Sequence, residues 1–138
     1  MSIAYDPYAA AAGMGLSVFE ANLPNRHLGE YWHDHRMILI VPGLTYRETR
    51  SVLTHEVAHA IAADYITLSG PIRRTQELRA RRVTARLLID PEEFADSCKL
   101  RDGHVSTIAH DLDVIPQVVA DWIAMQKPDA RGLGERSA

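Results

Sequence analysis

The chain has 138 residues, of which 46% are hydrophobic and 24% charged, a balance that fits one globular domain with one core. Its formal net charge of −3 excludes an overall basic field of the kind that draws nucleic acid or anionic lipid. Its one cysteine, Cys98, excludes an intramolecular disulfide and fits a reducing compartment, and no run of eighteen apolar residues is present to span a membrane.

The opening "MSIAYDPYAA" has neither a basic segment nor a long apolar run, so no secretory leader is expected and the expected location is the cytoplasm. Asp6-Pro7 reads as a helix cap followed by proline at the first helical position, which predicts a short helix from Pro7 to about Ala12. "LSVFEANL" alternates apolar and polar residues and predicts a strand. "GEYWHDH" (29–35) and "RMILIV" (36–41) predict two more strands, joined as a hairpin about Asp34 to Arg36. Thr45 and Glu48 form a capping box that starts a helix of about five turns, from Tyr46 to about Thr67, with Val52, Val57, Ala60 and Ile61 on its apolar face. A second helix is predicted from about Arg73 to Ile89, with Ala80, Val83, Thr84, Leu87 and Leu88 as its core-facing stripe. Pro91 to Ser97, Ser106 to Leu112 and Pro116 to Met125 predict three short helices. "KPDARGLGERSA" reads as a flexible tail over 127–138, leaving 1–126 as a single domain. Strands followed only by helices argue for an α+β fold, with a small antiparallel or mixed sheet of about three strands.

The chemistry concentrates in "THEVAHAIAADY" (54–65). His55 and His59 lie on one face of the predicted helix, with Cβ atoms about 6 Å apart. Two imidazoles at that spacing can converge on one zinc ion. Glu56 stands about 100° further round the helix and reaches a water on the metal rather than the metal itself. The metal acidifies that water and polarises a carbonyl, while the carboxylate takes the proton and delivers it to the leaving amine. The alternative is a buried helix that carries two histidines paired with other polar groups.

Two histidines do not close a site. A metzincin would place a third histidine six residues after His59 and a glycine three after it; here those positions are Tyr65 and Ala62, so that class is excluded. Asp64 lies about 140° round the helix from His59 and reads as a surface carboxylate. Glu77 shares the stripe of Ala80 and Thr84, where a carboxylate is costly unless something cationic receives it. It reads as the third ligand, with an exposed first-turn acid favoured by the helix dipole as the alternative.

"LTHEVAHAI", "QELRARRVTARLLIDPEEF" and "TIAHDLDVIPQVVADWI" together resemble the ImmA/IrrE family of small metallopeptidases found in phages and integrative elements, and the opening "YDPYAAAAGMGLSV", "GEYW" and "MILIV" fit its N-terminal region. The resemblance runs to about Met125. It implies a zincin-like helix pair of gluzincin type, with His55, His59 and Glu77 as zinc ligands and Glu56 as general base. It also implies a protein substrate, a helix-turn-helix repressor encoded nearby, whose cleavage relieves repression. The charge and the lack of a long apolar run separately lead to the expectation of no direct nucleic-acid or membrane partner. One position departs: four residues after the glutamate the family often has Asp or Asn, which can orient a ligating histidine, whereas this chain has Arg81, which accepts no hydrogen bond.

Tyr31, Trp32, His33 and His35 gather in the predicted hairpin, either beside the cleft or as ordinary surface residues; His104 and His110 read as surface. Arg73, Arg74, Arg79, Arg81, Arg82 and Arg86 make the second helix basic, which reads as a solvated face or as a docking surface for an acidic partner. The last two helices have the shape of a helix-turn-helix and raise a rival function in DNA binding. Residues 105–126 contain no Lys or Arg but do contain Asp111, Asp113 and Asp121, so phosphate would be repelled and a packing or partner-binding role is expected. A metal-bound regulator without proteolytic activity is the remaining alternative.

Overall fold

In the computed structural model, which describes residues 4–127, Asp6 caps α1 (Pro7–Gly13) as expected. Its carboxylate accepts from the Tyr8 and Ala9 amides, and Pro7 takes a position where no amide hydrogen is needed. β1 (Ser17–Glu20), β2 (Gly29–Trp32) and β3 (Met37–Ile40) form one sheet in the order β1-β3-β2. β1 runs parallel to β3 and β2 antiparallel to it, so the sheet is mixed and β2 is an edge strand. The hairpin lies where the sequence places it, but both strands are shorter. The turn takes His33 to Arg36, and Arg36 adopts a left-handed φ of 49° while its amide donates to the His33 carbonyl.

α2 (Tyr46–Ile61) begins at the capping box, with Thr45 and Glu48 exchanging hydrogen bonds. It ends six residues before the expected Thr67. Ala63 turns left-handed at φ 55°, its amide donates to the Ala60 carbonyl, and the Asp64 amide reaches back to the His59 carbonyl at 3.0 Å. This satisfies the last carbonyls of the helix in the pattern that usually employs glycine after the cap. Ile61, expected on the apolar face, sits at this end and is exposed.

α3 (Gly70–Leu88) starts three residues earlier than expected. "SGP" starts this helix, with the Ser69 hydroxyl accepting from the Ile72 amide. Its buried stripe is Gln76, Ala80, Thr84, Ala85 and Leu88, while Val83 and Leu87 are only half-buried. α4 (Pro91–Leu100), α5 (Val105–Asp111) and α6 (Pro116–Gln126) complete the described residues, which together make an α+β fold. The tail expected over 127–138 lies, apart from Lys127, outside them.

Two cores form. Ala11, Leu16, Tyr31, Ile38, Ile40, Leu53 and Val57 join α1, the sheet and α2; Ala85, Leu88, Ile108, Val114 and Val119 join α3 to the C-terminal helices. α2 and α3 meet at the seam between them. The turn from α5 to α6 is pinned across the same seam: Arg50 Nη1 donates to the Leu112 and Asp113 carbonyls, and the Ile115 amide donates to the Ser51 hydroxyl. The helix-turn-helix shape is therefore a packing element, with Val118 and Val119 of its second helix buried.

Candidate metal centre

His55 and His59 project from successive turns of α2 towards α3, their ring centroids 4.9 Å apart. Glu77, on the second turn of α3, meets both. Its Oε2 lies 3.0 Å from His55 Nε2 and its Oε1 2.9 Å from His59 Nε2. The ligand atoms of these three residues all lie within 4.8 Å of one another. Two imidazoles and one carboxylate are a donor set that catalytic zinc accepts. Ligands of a tetrahedral zinc stand about 3.3 Å apart, so the two histidine–glutamate contacts are a few tenths of an ångström shorter than that spacing, while the ligand atoms as a set spread over up to 4.8 Å. Glu77 is half exposed, with 51% of its side-chain surface open; the buried position expected for it belongs to its neighbour Gln76. It stands at the cleft edge rather than in the core stripe.

The electrostatics follow from this crowding. Burial pulls the His59 imidazolium down, but hydrogen bonds to Glu77 and Asp64 and the nearby Glu56 outweigh it and hold its pKa up at about 9. Hydrogen bonds from His55 and His59 hold the Glu77 carboxyl well below the usual range. Glu56, one residue on from His55, is buried, and among the described residues none donates a hydrogen bond to its carboxylate. Burial raises its pKa, against the pull of His55 and His59. A carboxylate short of solvation beside a cluster of this kind is suited to taking a proton.

Asp64 overturns its reading as a surface carboxylate. It is 7% exposed, and its Oδ2 lies 2.8 Å from His59 Nδ1. The argument from helical angle failed because α2 ends at Ile61 and the left-handed Ala63 swings Asp64 back over the last turn. The acceptor that the sequence lacks at position 81 is thus supplied from the end of α2. Arg79 donates from Nη2 to the other Asp64 oxygen, so Arg79 is part of this support and not a free cation. Arg81 turns towards α6, where its Nε donates to Asp121 Oδ2 at 3.0 Å and its Nη2 to Oδ1.

A cleft of about 1070 Å³ opens over the cluster. It is bordered by Gly29, Glu30 and Tyr31 of the edge strand, by the loop at Tyr65 to Thr67, and by Arg73, Arg74 and Arg81 of α3. Gly29 is a second residue that the sequence did not flag. A Cβ there would stand 2.8 Å from Val52 Cγ1 and 3.0 Å from Glu56 Cγ, so its missing side chain is what lets β2 close onto α2. Of the four hairpin residues, only Tyr31 borders the cleft. Its hydroxyl is hydrogen bonded to His33 Nδ1 at 2.7 Å, and Trp32 meets His35 edge to face. His104 and His110 are exposed and do not border the cleft.

Residues 11–122 match the Peptidase_M78 family model, described as an IrrE N-terminal-like domain. No curated protein and no solved structure matches the chain.

Proposed function

Since the chain belongs to the Peptidase_M78 family of IrrE N-terminal-like domains, we propose that it is a zinc-dependent metallo-endopeptidase in which His55, His59 and Glu77 hold the metal and Glu56 is the general base. The observation that carries this reading is the meeting of both imidazole Nε2 atoms on one carboxylate, beside a buried Glu56 and at the floor of an open cleft. Zinc bound there supplies Lewis acidity towards a peptide carbonyl and makes a water more acidic.

The chain's own residues do the rest. Glu56 accepts the proton of the attacking water at its carboxylate and passes it to the leaving amine. Asp64 keeps His59 in the orientation that turns Nε2 to the metal. β2, whose outer edge pairs with no strand among the described residues, offers that edge to an extended substrate, whose backbone adds as a further strand alongside. The substrate proposed is a helix-turn-helix repressor of a phage or mobile element, supported by the resemblance of the motifs to the ImmA/IrrE peptidases.

The test is metal analysis joined to Glu56→Gln. Freshly purified protein is expected to carry about one zinc per chain, and Glu56→Gln to keep that zinc while losing cleavage of the repressor encoded beside it. Protein that neither contains zinc nor gains it on addition defeats the proposal, and so does a Glu56→Gln variant that cuts as fast as the unsubstituted chain.

A further inference from the structure

The charges of the cleft can be followed to their partners. Glu77 is shared by His55 and His59, Asp64 by His59 and Arg79, and Asp121 by Arg81. Glu30 lies 3.2 Å from His27 Nδ1. Arg73 and Arg74 border the same cleft and have no carboxylate partner among the described residues. Both stand near the start of α3, where the positive end of the helix dipole disfavours a cation. The helix dipole therefore does not favour their charge.

The surroundings give that charge a direction. Glu77 lies four residues after Arg73 and three after Arg74, so they stand about 4.5–6 Å from it along the helix axis. An extended peptide advances about 3.3 Å per residue, so a chain lying along the cleft meets them about two residues from the bond at the cluster. The Gln76 amide donates to the Tyr65 carbonyl at 3.2 Å, which holds the loop 62–69 beside this end of α3. Tyr65 and Ile66 from that loop border the cleft and are 57% and 63% exposed.

We infer that Arg73 and Arg74 form a subsite for an acidic side chain, and that the peptide segment cleaved carries an Asp or Glu about two residues from the scissile bond, next to a bulky apolar residue that lies on Tyr65 and Ile66. This rests on the peptidase reading and names its specificity. It also relocates the contact with an acidic partner: Arg79 is committed to Asp64, whereas Arg73 and Arg74 border the cleft.

The experiment exposes a peptide library derived from a whole proteome to the zinc-loaded full chain and sequences the products, with a chelator-treated sample as the control. Asp and Glu are expected to be enriched at least about 5-fold at one position near two residues from the cut. Arg73→Glu combined with Arg74→Glu is expected to replace that preference with Lys and Arg at unchanged zinc content. Arg82→Glu, on an exposed position of α3 outside the cleft, is expected to leave the profile as it is. Cleavage with no acidic preference, or a preference that survives the double substitution, overturns the subsite and leaves the peptidase reading standing. Absence of any chelator-sensitive cleavage overturns the peptidase reading and the subsite with it.

Discussion

Asp64 Oδ2 lies 2.8 Å from His59 Nδ1, although the two residues are five apart and the helix that carries the histidine ends between them. The contact exists because the chain leaves α2 through the left-handed Ala63 and folds back. It fixes the ring of His59 from behind while Nε2 faces Glu77. His55 has its hydrogen bond to Glu77 but none at its other ring nitrogen among the described residues. The two histidines are thus held unequally, and metal affinity should depend more on the support behind His59.

Asp64→Ala is therefore expected to weaken zinc binding by about 10–100-fold. Arg79→Ala should act in the same direction by less, since it removes only the partner of Asp64. Chelator competition followed by zinc release measures both. Equal affinity in Asp64→Ala and the unsubstituted chain would show that the contact does not position the ligand.

The local part of this site is legible in the sequence and the distant part is not. His55, Glu56 and His59 can be placed because one helix sets their spacing. Glu77 can be reached because a carboxylate on an otherwise apolar stripe needs a partner, but its half-exposed place at the cleft edge depends on how α3 rolls against α2. Asp64 is missed because nothing in "HAIAADY" announces a helix end: alanine carries a Cβ that disfavours φ > 0, and glycine is the usual signal. Arg79 reads as a docking residue for the same reason, since its partner is invisible until the helix end is known. The sheet is legible as three strands, whereas the parallel pairing of β1 with β3 arises from long-range packing that no local pattern encodes.

Gly29→Ala tests the close approach of β2 to α2. Its methyl group would meet Val52 Cγ1 at 2.8 Å and Glu56 Cγ at 3.0 Å. Overpacking of that kind costs about 1–3 kcal/mol, and relief by a shift of Glu56 would move the proposed base. The variant should melt lower and lose kcat while keeping zinc. A kcat equal to that of the unsubstituted chain would show that the base tolerates the displacement.

Glu56→Gln should do more than stop catalysis by about 10²-fold or greater. Burial raises the Glu56 pKa in the fold, so the charged form is less favourable folded than unfolded. The resulting loss of stability is absent below the unfolded pKa and appears as pH rises above it. Glutamine removes the charge and keeps the shape. At pH 7 the metal-free variant should melt higher than the metal-free unsubstituted chain, by on the order of a few degrees. A lower melting temperature would show that the carboxylate makes a favourable contact in the fold.

The metal-free protein should also show a stability limb of the opposite kind at higher pH. His59 is held at about 9 by Glu77, Glu56 and Asp64, against about 6.5 unfolded. Its contribution is fully present below pH 6.5 and is lost as pH rises through about 9. A metal ion takes the place of the proton that His59 shares with Glu77, so a zinc-loaded sample should lose this dependence and release protons as it forms. Melting curves of the two forms between pH 6 and about 9.5 make the comparison. If the metal-free curve is flat over that window, His59 is not held charged by its carboxylates. If both forms fall together, the proton and the metal do not share the site, and the cluster is an ion-pair network joining α2 to α3.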